Sequence, residues 1–106
     1  MFKAMILLSR RDDLTHDEFV AWWTTEHRPL AAALDGVRRV VFNVVSGDGQ
    51  SDGADGIDGI AELWFDDEQA FVDAYATEHG KAVAADSMAH VRSRTRLFVD
   101  ELTVMG

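Results

Sequence analysis

The chain predicts an α+β protein with its elements in the order β-α-β-β-α-β and an antiparallel sheet. Three observations predict it. Short β-branched runs bracket two longer amphipathic stretches, so the hydrophobic period switches between two and 3.6 residues along the chain. The two amphipathic stretches resemble each other. A length of 106 residues suits a single domain, residues 1–106, and no linker interrupts it.

The first strand is predicted over Phe2–Ser9. Phe2, Ala4, Ile6 and Leu8 share one face, and Met5 and Leu7 lie on the other. Apolar residues on both faces imply that both are covered, one by helices and the other by something outside this fold unit. Arg10 to Leu14 reads as a polar turn. Thr15-His16-Asp17-Glu18 then forms a capping box, with Thr15 accepting at the N-cap and Glu18 reaching back.

The helix that follows should run to about Leu34, ended by Asp35-Gly36 with Gly36 just past its end. Projected at 100° per residue, Phe19, Trp23, His27, Leu30 and Leu34 fall along one side, with Val20 and Trp22 at its borders. Pro29 cannot donate a backbone hydrogen bond and clashes with the carbonyl four residues back. A kink or restart is therefore expected near His27.

The second strand is predicted over Val37–Val45, with Val37, Arg39, Val41, Asn43 and Val45 on one face and Arg38, Val40, Phe42 and Val44 on the other. Ser46–Gly59 is rich in Gly, Asp and Ser and reads as a long, mobile hairpin loop. Asp48, Asp52, Asp55 and Asp58 lack the ligand spacing of a calcium loop, so a solvated loop is the expectation. Ile60–Phe65 is the third strand. A second helix starts at Asp66 or Asp67, with Gly80 expected to break or bend it, and Leu97–Met105 is the expected last strand.

The two helical stretches align without a gap. Phe19, Val20, Thr25, Glu26, His27, Ala32 and Ala33 match Phe71, Val72, Thr77, Glu78, His79, Ala84 and Ala85, and Trp23 faces Tyr75. Two copies are too few for a solenoid. They suit two similar strand–helix–strand halves, the ferredoxin-like arrangement.

Composition narrows the function. A formal net charge of −9 disfavours nucleic acid and anionic membrane as partners, since both are polyanions. The absence of cysteine removes disulfides, thiolate nucleophiles and thiolate metal sites. No stretch approaches the ~20 apolar residues of a membrane span, and Ala4–Leu8 is too short for a signal-peptide core. A cytoplasmic protein is the resulting expectation. His16, His27, His79 and His90 form no metal-ligand spacing, so no metal is expected, although a single axial histidine suffices for haem. Neither a Ser- or Lys-centred acyl- or phosphoryl-transfer motif nor GxGxxG is present.

His27 is the leading candidate for chemistry. A neutral imidazole among Trp and Phe side chains, at a helix break, can exchange a proton near neutral pH. The competing reading is a structural histidine that ties the kinked helix to a strand. His79 holds the equivalent place in the second copy. Trp23, Asn43 and His79 are the residues expected to shape a pocket around His27.

The early strand, Phe19, Trp22-Trp23, His27-x-Pro29-Leu30 and the Gly36-led strand together resemble the EthD-like branch of the dimeric α+β barrel superfamily. The resemblance runs from about Phe2 to Val104 and is most specific in FVAWWTTEHRPLA. It implies a ferredoxin-like protomer whose sheet packs face to face with that of a second copy, a homodimer that would explain strands apolar on both faces. Members of the superfamily include lactone isomerases, cofactor-independent monooxygenases, polyketide cyclases and haem-degrading enzymes. The EthD-like branch is associated with ether degradation and is loosely labelled oxidoreductase. The histidine of its H-x-P motif maps to His27. The resemblance thus implies a small enzyme acting on an aromatic, lactone or polyketide-like molecule by isomerisation or oxidation, without a cofactor and with His27 as general base. The alternative is a non-catalytic protein that holds a small molecule or haem in the same cavity.

Overall fold

A computed structural model describes residues 1–47 and 56–106. Its elements are β1 (Phe2–Arg10), α1 (His16–Trp22), a π-helical turn (Trp23–His27), α2 (Arg28–Ala32), β2 (Arg39–Val44), β3 (Gly59–Phe65), α3 (Glu68–Ala76), α4 (Glu78–Met88) and β4 (Val91–Val99). The four strands form one antiparallel sheet in the order β2-β3-β1-β4, the predicted ferredoxin-like α+β arrangement.

Register divides the sheet into two faces. Leu8, Ile6 and Ala4 of β1 stand beside Gly59, Ala61 and Leu63 of β3 and beside Arg94, Arg96 and Phe98 of β4. This face meets the helices, and its core holds Phe19, Trp23, Phe65, Phe71 and Val83. The opposite face carries Met5 and Leu7, which are half-buried, with Ile60, Val41 and the exposed Leu97. Lys3 crosses it to Glu62 at 2.8 Å and lies 4.6 Å over the Trp64 ring.

The capping box at Thr15 forms as expected: its hydroxyl accepts from the Glu18 amide, and Glu18 accepts from the Thr15 amide. α2 ends at Ala32, short of the expected Leu34, and Gly36, at φ +76°, makes a separate turn before β2, a conformation that favours glycine. Three further expectations need correction. The second helical region breaks at Thr77, whose extended backbone and hydroxyl cap the first turn of α4, and not at Gly80. Gly80 lies inside α4 because a Cβ there would stand 2.0 Å from the Ala74 carbonyl oxygen: the missing side chain lets α4 close on the end of α3. The last strand begins at Val91 and ends at Val99 instead of spanning Leu97–Met105. Arg92, Arg94 and Arg96 alternate through an edge strand whose polar residues masked its period. Asp58 is not solvated: it is 2% exposed and accepts from the Arg10 amide, the Arg10 guanidinium and His16 Nδ1 at 2.7–2.8 Å. Burial pushes its carboxyl up, but those bonds outweigh burial and hold it below the usual range. The remainder of the predicted mobile loop, residues 48–55, lies outside the described residues.

Candidate functional site

The π-helical turn sets the site. Trp23–His27 winds wider than an α-helix, so each residue turns through a smaller angle and the side chains shift around the axis before α2 begins. Its causes are local. Pro29 removes one helical donor, and Thr24 turns its hydroxyl back to the Val20 carbonyl at 2.7 Å, a bond that bends helices. Thr25 bonds the Ala21 carbonyl in the same way. The wider turn lets Trp22, placed at the border by an ideal helix, join Trp23 and His27 in the buried set.

His27 is 5% exposed, and both ring nitrogens have partners on α4. Nδ1 lies 2.8 Å from Asp86 Oδ2, and Nε2 lies 3.2 Å from the Ser87 hydroxyl. The carboxylate only accepts, so Nδ1 carries the proton and Nε2 is the basic nitrogen, accepting from Ser87. Asp86 Oδ2 also accepts from Trp22 Nε1 at 3.2 Å. Trp22 stacks on His90 at 4.1 Å, and the His90 ring donates from Nδ1 to the Asp86 carbonyl oxygen at 2.7 Å. Burial lowers the protonation midpoint of His27 below the ordinary 6.5, against the opposing pull of Asp86. The imidazole is therefore neutral at neutral pH and held in one tautomer.

Behind it lies a cavity of about 20 Å³, lined by His27, Trp23, Phe42, Tyr75, Ser87 and Arg94 among others. That volume holds about one water molecule. Trp23 is fully buried and stacks on Phe42 at 4.1 Å and 4°. Burial also raises the Tyr75 phenol above its usual value, so it stays a neutral hydroxyl. Phe42 lines a second, open groove of about 480 Å³ on its other side, together with Thr24, Arg28, Val40 and Val44.

Of the residues expected at the site, His27 and Trp23 meet in this cavity. Asn43 and His79 do not, and both expectations are corrected. Asn43 lies on the opposite face of the sheet, where its amide donates to the Ile60 carbonyl and to Glu62, both at 3.0 Å. Strand alternation put Phe42, its neighbour, toward the helices instead. His79 is half-buried in the first turn of α4 and bonds the Leu30 carbonyl at 2.9 Å. It ties α4 to α2 and lies outside the cavity wall. Asp86, Ser87, Tyr75 and Arg94 were missed as site residues. Val83 and Ser87, both buried four residues apart, mark an inward face of α4 on which a serine stands out. Among the described residues, no three His, Asp or Glu side chains gather in a way that could hold a metal ion.

Fold and site together define an antiparallel α+β protomer of ferredoxin-like topology that carries a buried, carboxylate-anchored histidine between its helices and its sheet. The chain belongs to the EthD domain family, whose model matches residues 11–91. Among solved structures, an EthD family protein from Bacillus halodurans C-125 superposes with a TM-score of 0.79 at 21% identity, covering 96% of this chain and 100% of that one. A dimeric ferredoxin-like protein of unknown function from Thermobifida fusca YX gives 0.70 at 19%, over 92% and 88% of the two chains. SnoaB, a cofactor-independent oxygenase from Streptomyces nogalater, gives 0.67 at 14%, over 97% and 95%. No curated protein matches the chain.

Proposed function

We propose that this chain is a small-molecule enzyme that moves a proton at an aromatic, lactone or polyketide-like substrate, with His27 Nε2 as the base. The observation that carries the reading is the division of labour between the two ring nitrogens. Nδ1 is committed to Asp86, while Nε2 faces a cavity and is held only by a 3.2 Å bond to a hydroxyl. A substrate C–H or O–H can displace that hydroxyl. Asp86 then stabilises the imidazolium that forms. Removing the proton from an activated carbon leaves a carbanion or enolate. Reprotonation elsewhere completes an isomerisation, and reaction with dioxygen completes a cofactor-independent oxidation, the class of reaction that SnoaB's name describes. Ser87 lies within α4, whose backbone amides bond within the helix, so α4 offers no pair of free amides to hold an oxyanion beside it. This weighs against reading Ser87–His27–Asp86 as an acyl-transfer triad.

The assembly we propose is a homodimer. Met5, Leu7, Ile60 and Leu97 give the outer sheet face an apolar area that no helix among the described residues covers, and the T. fusca protein of the same fold is dimeric.

The test begins with native mass spectrometry of any compound copurified with the protein, followed by turnover of that compound by wild type and His27→Ala. A base role predicts a loss of about 10²–10⁴-fold with the dimer still folded. A compound that binds but is turned over by neither protein would show that the site stores a ligand instead.

A further inference from the structure

We propose that the chamber beside His27 takes an organic anion, a carboxylate or phenolate on an aromatic body, with Arg94 as its charge partner. The inference rests on reading that chamber as the ligand site, and it names the class of compound the site admits.

The chain holds 19 Asp and Glu against 10 Lys and Arg. Among the described residues half of these cations meet a carboxylate: Lys3 meets Glu62, Arg10 meets Asp58 and Arg38 meets Asp66, each at 2.8 Å, and Arg11 and Arg92 meet Asp13 and Asp12. Arg94 is different. Register with Leu8 puts it on the helix-facing side of β4, where it is half-buried and lines the chamber. Among the described residues it has neither a carboxylate partner nor a side-chain hydrogen bond. Arg96, the next inward residue, is instead covered by the rings of Phe71 and Tyr75 at 4.7 and 5.2 Å.

The rest of the wall matches an anion. Among the described residues no carboxylate lines the chamber, because Asp86 stands behind the His27 ring. The remaining polar groups are the Tyr75 and Ser87 hydroxyls and Trp23, whose indole N–H is fully buried and has no acceptor. One cation and several donors, one of them the buried and unmatched Trp23 indole N–H, lack only an acceptor with negative charge. A half-buried guanidinium without a partner carries a desolvation cost that a bound carboxylate removes, through short charge-assisted bonds.

Size then dictates how the ligand enters. The chamber holds about one water, whereas the groove of about 480 Å³ lies across Phe42, which lines both. Phe42 is half-buried on edge strand β2. When its ring turns aside, the two spaces join and the ligand's ring takes its place against Trp23. Arg28 lines the groove and likewise has no carboxylate partner among the described residues, so the approach is also electropositive.

The test uses the full chain with benzoate and its neutral counterpart benzyl alcohol, at pH 8 where His27 is neutral. The readout is the Trp23 indole N–H resonance, assigned with Trp22→Phe and Trp64→Phe. Benzoate should shift that resonance and bind about tenfold tighter than benzyl alcohol, or more. Arg94→Met should remove the preference while leaving benzyl alcohol's affinity in place, and Arg94→Lys should keep it. Equal affinity of the two probes in the wild type overturns the proposal and leaves the chamber as a ligand site. So does Arg94→Met with its preference intact. If Arg94→Met does not fold, the wild-type comparison alone decides. If neither probe moves the Trp23 resonance, both the proposal and the chamber reading fall.

Discussion

Replacing Asp86 tests the anchor on which the functional reading depends. Its Oδ2 accepts from His27 Nδ1 at 2.8 Å and from Trp22 Nε1 at 3.2 Å, and both donors belong to buried side chains. In Asp86→Ala each donor loses its acceptor, at about 1–3 kcal/mol for an unsatisfied buried group. The Asp86 side chain is 24% exposed, so water enters the vacated space and the lower part of that range applies. Alanine also returns about 0.5 kcal/mol through its better helix propensity. The net loss is about 2 kcal/mol, which lowers the melting temperature by roughly 8–16 °C for a domain of this size. Asp86→Asn keeps one acceptor oxygen and should lose about half as much. The second consequence is electrostatic. Burial lowers the His27 midpoint and Asp86 opposes it, so either variant should move that midpoint further below 6.5. Thermal melts at one fixed protein concentration and imidazole titration by NMR measure the two effects. An Asp86→Ala protein that melts within about 2 °C of wild type, with an unmoved His27 midpoint, would refute the anchor and with it the choice of Nε2 as the base.

Gly80→Ala gains up to about 1 kcal/mol of helix propensity but sets a methyl group 2.0 Å from the Ala74 carbonyl oxygen. Backbone cannot yield cheaply there, so urea denaturation should show a net loss of about 1–2 kcal/mol; a more stable variant would contradict the packing described. For pH, the folded-state midpoint of His27 lies below its unfolded 6.5, so the unfolded chain takes up the proton first. Stability is then fully present above about 6.5 and falls as the pH drops from there toward the folded midpoint, and His27→Gln should flatten that part of the melting curve. Asp58 adds a separate acid loss below its ordinary 3.8, and Asp58→Asn should abolish it. Sedimentation at micromolar concentration should give a dimer burying on the order of 2,000 Å², and a folded monomer there would remove the case for sheet-to-sheet packing.

Much of the fold was legible because local chemistry and tertiary structure agree in it. Thr15 and Glu18 cap α1, Asp35-Gly36 turns the chain shortly after α2 ends at Ala32, and the β-branched run around Val40–Val44 forms an edge strand. The misreadings share a cause: position on one element does not say what stands opposite. Asn43 read as a polar intruder on an apolar strand, yet only the pairing with β3 shows that its face carries Glu62 and not the helices. Asp58 sat in a run of similar acidic residues, and nothing local distinguished it as the one that meets Arg10 and His16. Asp86 and Ser87 lie 59 and 60 residues from His27, so only the packing of α4 against the π-helical turn identifies them as its partners.

The repeat shows why one of two matched histidines became the site. The sequences Thr25-Glu26-His27 and Thr77-Glu78-His79 agree residue for residue, and Phe19 and Phe71 are equally buried at the start of the two copies. The copies part at the break. In the first, threonine hydroxyls bond backward into the helix and the chain continues as a π-helical turn, so His27 remains on the inward face with both nitrogens directed at α4. In the second, Thr77 turns extended, and its hydroxyl, though it also bonds back to the Ala74 carbonyl, caps a new helix. His79 then falls in the first turn of α4, where its ring reaches the Leu30 carbonyl. Pro29 follows His27 by two residues, and the corresponding residue after His79 is Lys81, which lets α4 run on unbroken to Met88. That unbroken helix is what carries Asp86 and Ser87 back to His27. The second histidine, by fastening the start of α4 to α2, holds in register the helix that anchors the first.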